Sequence, residues 1–502
     1  MTARRPAEQQ LPPPTGRQTA AGQRSRANGK PQSTRAPAES RPGGRTHWSR
    51  AIACVCFELA GPEISAGPWL PGPFPVPLPD GRVAGRMARA TYFQARAADV
   101  LYGPDGGSTP CRWHRKAEGA QVGGDAVLGI ELLRLPRFTT TQATSRAGAA
   151  ASAAGRYLGV LHLALDRGNP VASLAAAVRL DPADPSCARR RDRYAQLAGP
   201  GFRIPPAARR ALAVTMLTSR DRLRPPPGSP EPWTATDGWL WTVASATPLQ
   251  HFCPDTGDPD ALAGTVYLSS SWRALVLRDG VGFLGLVPDR GDHASFFDWA
   301  ESYIRSLYTD VALLAALERD ALDGFANHLA HIGNRFEKSQ QYRRLVNEVT
   351  EFRNVFWWEN ITRHGNANQI LERLHCAHGT SRLFSHVIDD LDAFRQQVEA
   401  QALEASLQVQ ATEEKRSRRF EHTASVAAIA ITLPALVFTA LALPIQGLTS
   451  DGHNLPPWLV IALGAGAMLA GAFTGAIGSR WISRRTPAKQ ASPHPAPARR
   501  RR

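Results

Sequence analysis

Thr423-Ala-Ser-Val-Ala-Ala-Ile-Ala-Ile-Thr-Leu-Pro-Ala-Leu-Val-Phe-Thr-Ala-Leu-Ala-Leu-Pro-Ile445 is an apolar run without a charged side chain. A short polar stretch, Gln446 to Pro457, follows it, and a second uncharged run extends from Trp458 to Ser479. Each run has about 20 residues or more, which at about 1.5 Å per residue covers a hydrocarbon core of roughly 30 Å. The reading is a C-terminal two-helix transmembrane hairpin over 423–482, with spans at 423–445 and 458–479. Lys415, Arg416, Arg418 and Arg419 stand before the first span, and Arg480, Arg484, Arg485 and Lys489 after the second. The loop between them has no Lys or Arg and one acid, Asp451. Positive charge collects on the cytoplasmic side of such hairpins, so both termini are expected there.

The rest of the composition is read against that hairpin. The chain has 502 residues and a formal charge of +16, much of it in the two tails and beside the apolar runs. Anionic lipid attracts basic flanks of this kind. No recognition motif accompanies the charge, so no nucleic-acid partner is expected. Cys54, Cys56, Cys111, Cys187, Cys253 and Cys376 are scattered and form no CxxC pair. Cys54 and Cys56 alternate on an apolar run and belong on one strand face, packed rather than bridged, as in a reducing compartment. The start of the chain has no apolar core of a cleavable signal peptide.

Residues 1–47 are rich in Pro, Arg, Gly, Ser, Gln and Ala, as are residues 483–502 in basic residues, and both read as disordered basic tails. Between them the reading is an α+β cytoplasmic domain over 48–293 and a long-helix and stalk region over 294–422. Ala51 to Leu59 is a near-continuous apolar run of strand length. Arg89 to Leu101 reads as a helix or a strand. Val127 to Leu135 and Tyr157 to Leu165 read as strands, and Thr139 to Gly155 as a loop or weak helix. Asn169-Pro170 opens a helix with Asn169 as its N-cap. Asp181 to Gly238 looks loop-rich. Trp239–Ala246, Thr265–Ser270, Arg273–Leu277 and Val281–Val287 look strand-like, and Asp279-Gly280 signals a hairpin of the type I′ kind.

From Ser295 the apolar period changes to about 3.6. Phe296, Trp299, Tyr303, Leu307, Val311, Leu314 and Leu317 predict an amphipathic helix to about Ile332. A second is predicted from Ser339 to about Thr362 and a third from near Asn368 to Gly379. Phe384, Val387, Leu391, Phe394, Val398, Ala402, Ala405 and Val409 step by three and four, and no Pro or Gly interrupts Ser381 to Leu433. This predicts one continuous stalk helix entering the first span, packed either against a copy of itself or on its own domain.

Within the second span Ala467, Gly471, Gly475 and Ser479 share a helix face at four-residue spacing, where small side chains let backbones approach. Pro434 and Pro444 interrupt the donor ladder of the first. His375, Cys376 and His378 are a tight group, but only positions 375 and 378 share a helix face and no carboxylate completes a ligand set. The metal reading therefore stays open and no cofactor is expected. The sequence has no G-x-x-x-x-G-K-[ST], G-x-S-x-G or H-E-x-x-H, so no catalytic residue is nominated and a non-enzymatic protein is expected.

The layout after Leu277, with its long helices, a stalk running into a first span and a short loop before a second, resembles CorA-type magnesium channels. That family carries Gly-Met-Asn after the first span, where this chain has Gly447-Leu448-Thr449. The resemblance makes Gly447, Leu448, Thr449, Asp451 and Asn454 the candidates for a pore entrance or outer loop, with Mg²⁺ as a transported ion only. A fainter likeness, carried by Ala60-Gly61-Pro62, Ser271-Trp272 and the tail hairpin, is to actinobacterial proteins of caspase/TPR-associated (CATRA) conflict systems. The expectation is thus an oligomeric, multi-pass protein of a bacterial inner membrane. Its function is that of a membrane-anchored signalling or conflict-system component, with protein partners and the bilayer as its contacts. The alternative is a divergent CorA-like divalent-cation channel.

Overall fold

The apolar run at Ala51–Leu59 lies in the central strand of the protein, as a computed structural model shows. The structure describes residues 46–64, 67–104, 110–136, 155–332 and 339–448, together with Trp458, Ala462, Ala465, Gly466, Leu469 and Phe473. The strands are β1 (Trp48–Gly61), β2 (Leu70–Pro71), β3 (Val76–Pro77), β4 (Val83–Ala84), β5 (Arg112–Lys116), β6 (Gln121–Val122), β7 (Asp125–Arg134), β8 (Gly155–Ala164), β9 (Leu212–Ser219), β10 (Thr265–Val266), β11 (Trp272–Leu277) and β12 (Gly280–Gly285). The helices are α1 (Arg86–Ala90), α2 (Ala95–Tyr102), α3 (Pro170–Val178), α4 (Pro185–Ala198), α5 (Ala235–Ser245), α6 (Asp292–Tyr303), α7 (Thr309–Ile332), α8 (Ser339–Val355), α9 (Gly365–His378) and α10 (Thr380–Leu448). A π-helical turn, Ile304–Tyr308, joins α6 to α7.

One sheet runs in the order β10-β11-β12-β9-β1-β8-β7-β5-β2, with β6 paired to β7. All neighbours are antiparallel except β12 and β9. Both faces of β1 are covered, which is why it is apolar throughout rather than alternating. Ala51, Ala53, Val55, Phe57 and Leu59 enter a core with Leu174, Tyr194, Trp239, Leu240 and Val243, from α3, α4 and α5. Ile52, Cys54 and Cys56 enter the opposite core with Phe297, Leu307, Val311, Leu314, Ile370 and Leu374, from α6, the π turn, α7 and α9.

Several local readings change. Trp239–Ala246 is helical, not a strand: Thr234 and Asp237 form a reciprocal capping box, and the run is buried on every side, so periodicity alone does not separate the two. The loop-rich middle holds α4, capped by Asp184, and β9, which pairs β1 to β12. The β11–β12 hairpin turns on Arg278-Asp279, and neither residue has a positive φ, so it is not type I′. Gly280 lies in the strand, where a Cβ would meet the Ala244 oxygen of α5 at 2.1 Å. Asn169 caps α3 through Ala172 N–H at 3.3 Å. Residues 137–154, with most of the predicted Thr139–Gly155 loop, and both tails except Thr46 and His47 lie outside the described residues.

The main correction concerns the membrane. Among the described residues no helix is long and apolar enough to cross one. The helix α10 has the length, at 69 residues, and runs on through Pro434 and Pro444. Length is not sufficient, because spanning needs about 20 consecutive apolar side chains. Charged residues recur along α10 from Arg382 to Glu421. The two-span hairpin is thereby overturned. With it go the integral-membrane function in both its forms, anchored conflict-system component and CorA-like channel, and the multi-pass inner-membrane localisation. The described residues up to Asp392 form one compact unit and those from Ala393 onward a second.

Candidate functional site

The strand register brings together three side chains that lie far apart in sequence. Cys54 of β1 is directly opposite His162 of β8, and His162 is opposite Gly129 of β7, two residues from Glu131. Alternation turns Cys54, His162 and Glu131 to the same face. Cys54 Sγ lies 3.3 Å from His162 Nδ1, and His162 Nε2 lies 2.7 Å from Glu131 Oε1. Glu131 continues the chain of contacts to Arg112 of β5, whose Nε donates to Oε2 at 2.6 Å. Arg112 Nη1 reaches Asp310 Oδ1 of α7 at 2.8 Å. Asp310 also pairs with Arg89 of α1 at 3.1 Å and accepts from the Tyr102 hydroxyl of α2 at 2.6 Å. Every charged member is fully buried.

Burial on this scale is tolerated because the charges cancel. Two guanidiniums face two carboxylates, and each is held by hydrogen bonds rather than by attraction alone. Burial would raise the Glu131 carboxyl, but Arg112 and His162 hold it well below the usual carboxylate range. An ionised Glu131 requires a proton on His162 Nε2, which leaves Nδ1 to exchange its proton with Cys54. Burial would lower the imidazole and raise the thiol, and their mutual interaction reverses both: His162 is raised and Cys54 lowered. The Cys54 thiol is thus poised against a base whose other nitrogen is fixed by an acid, the arrangement that activates a nucleophile. Cys56, two residues along the same face, has no such partner and burial pushes its thiol up.

The cover over this cluster is also specific. Phe74 stacks on the His162 ring, with centroids 4.8 Å apart, and fills the hollow above Gly129, where a Cβ would stand 2.1 Å from its ring. Arg89 donates to the carbonyls of Phe74 and Ala84 and so ties both ends of the β3–β4 segment to Asp310. Phe74, Val76, Leu78 and Ala84 form a small apolar cluster of their own. Arg305 of the π turn and Thr309, the first residue of α7, are both close enough to favour a Cys54 thiolate. Wide turns of this kind recur at functional sites.

The residues nominated from sequence lie elsewhere. Gly447 and Leu448 end α10, while Thr449, Asp451, Asn454, Ala467, Gly471, Gly475 and Ser479 lie outside the described residues. His375 is taken by Glu318 of α7 at 2.5 Å, and burial raises the Glu318 carboxyl in spite of that contact. Cys376 is exposed, and His378 Nε2 binds the Arg278 carbonyl at 2.8 Å. His364 stacks on Tyr92. The described residues contain no group of three or more His, Cys, Asp and Glu side chains that could hold a metal. No local motif joins Cys54, His162 and Glu131, so the sequence does not show them as a set. Their signal was a polar residue at a core-facing position in each of two apolar strands.

The second candidate is a surface. From Glu399 to Ile429 almost all described side chains of α10 are exposed, including Leu403 at 62%, Leu407, Val409, Phe420 at 76%, Val426 and Ile429. Asp389, Asp390 and Asp392 lie on its earlier part and Lys415, Arg416, Arg418 and Arg419 on its later part, all exposed.

No family model, curated protein or solved structure matches the chain.

Proposed function

We propose that this is a non-enzymatic assembly protein that pairs with a second copy of itself through α10, antiparallel, and so presents two α+β units. One observation carries the reading: a long helix keeps Leu403, Leu407, Val409, Phe420, Val426 and Ile429 in water. Helices in water draw most of their stability from burying an apolar face. Each leucine so buried contributes about 1.5–3 kcal/mol.

The charge pattern selects the partner and the direction. An antiparallel copy crossing near Leu403 and Leu407 sets the acidic stretch Asp389–Asp392 beside the basic stretch Lys415–Arg419 of its mate, twice over. A parallel copy would set like against like. Such exposed pairs add little affinity, but they fix register and make it sensitive to salt.

Sedimentation of the wild type and of a Leu403→Glu, Leu407→Glu double variant tests this. The wild type should sediment as a dimer in the micromolar range. The variant should dissociate at least 100-fold more readily while its α+β unit unfolds at the same denaturant concentration. A variant that dimerises as well as the wild type would overturn the proposal.

A further inference from the structure

We propose that Cys54 is a modification site for small hydroperoxides, with His162 as the proton donor to the departing oxygen and Glu131 as its positioning residue. The inference stands apart from assembly through α10, because it rests on the sheet face of the α+β unit. Three observations carry it. Cys54 Sγ is 3.3 Å from His162 Nδ1, and His162 Nε2 is 2.7 Å from Glu131 Oε1, so base and orienting acid are already in place. The cluster around them is neutral as a whole, so moving the Cys54 proton to His162 changes no net buried charge. The site is closed: Cys54 and His162 have no exposed surface, and Phe74 lies on the imidazole. A closed site excludes peptides and nucleotides. Hydrogen peroxide is small and neutral, and it needs no binding pocket, only transient passage past a side chain.

The step balances without a further reactant. The Cys54 proton passes to His162 Nδ1, and the thiolate sulfur attacks one peroxide oxygen. The S–O bond forms as the O–O bond breaks, and sulfur gives up two electrons while the peroxide is reduced. The departing hydroxide takes the proton from His162 Nδ1 and leaves as water. The products are Cys54 sulfenic acid, neutral His162 and water. Thiolate character and access together govern this first step of cysteine oxidation, and since Cys54 and Cys56 are both buried, thiolate character is what separates them. Cys56 supplies the internal reference, since it lies on the same strand and face, is equally buried and lacks a base.

The full chain is exposed to hydrogen peroxide for timed intervals, quenched with catalase, then denatured in iodoacetamide. Fragmentation of the peptide shared by Cys54 and Cys56 gives the loss of alkylation at each. Cys54 should be lost at least tenfold faster than Cys56. A Glu131→Gln variant that retains the native circular dichroism should slow Cys54 at least fivefold and leave exposed Cys253 and Cys376 unchanged. The wild-type comparison decides the matter by itself if that variant does not fold. Equal rates at Cys54 and Cys56, or oxidation confined to Cys253 and Cys376, would overturn the proposal.

Discussion

The buried face of the sheet and the long helix handle charge in opposite ways. Beneath α7, Arg89, Arg112, Glu131 and Asp310 are sealed from water, and each finds its counter-charge within the same unit. Along α10, Asp389, Asp390 and the basic stretch Lys415–Arg419 are exposed together with Leu403 and Leu407, and Arg418 lies 4.0 Å from Glu414 of the same helix. A buried ion pair adds little net stability once desolvation is counted, but breaking it leaves a stranded charge. An exposed charge can be changed with little effect on folding and acts instead on what the surface meets. The first region is therefore fragile to substitution and complete in itself. The second is tolerant and incomplete.

The contrast can be broken at its strongest point first. Asp310→Ala removes the one carboxylate shared by Arg89, Arg112 and Tyr102. Urea unfolding should show a loss of about 3–5 kcal/mol, and a loss under 1 kcal/mol would mean that the cluster relaxes or admits water. The next test uses pH. His378 on α9 is pushed down to about 4, chiefly by burial. Its folded value lies below the unfolded one of about 6.5, so its contribution is present above pH 6.5 and is lost as pH falls toward 4. Between pH 7 and 4 the wild type should lose about 2 kcal/mol more than His378→Gln, and parallel profiles would contradict the assignment. Tyr102→Phe deletes a single neutral donor to Asp310 and should cost about 1 kcal/mol. Leu403→Ala, on the open helix, should change unfolding of the α+β unit by less than about 0.5 kcal/mol. A larger effect would mean that α10 packs on its own chain.

How much of this the sequence carried depends on whether the signal was local. The strand at Ala51–Leu59, the Asn169 cap and the period change at Ser295 were legible, because each depends on neighbours a few residues apart. Trp239–Ala246 was misread because a run buried on all sides has no period to separate helix from strand. Leu212–Ser219 lies between β1 and β12 in the sheet, but the Pro-rich and Arg-rich segments around it make the stretch look like loop in sequence. The Cys54, His162 and Glu131 set spans three strands and exists only through register. His162 and Glu131 are each single polar residues in apolar strands, the one trace of it that a sequence can hold. The stretch that dominated the reading, Thr423–Ile445, shows the opposite hazard. Apolar composition marks a surface that water does not suit, and it does not by itself say what covers that surface.

Light scattering on the full chain, at micromolar concentration and low salt, tests the central claim most directly. Pairing through α10 predicts a mass of twice the 54.4 kDa chain, falling toward 54.4 kDa on dilution. A mass of 54.4 kDa at every concentration and salt tried would contradict it.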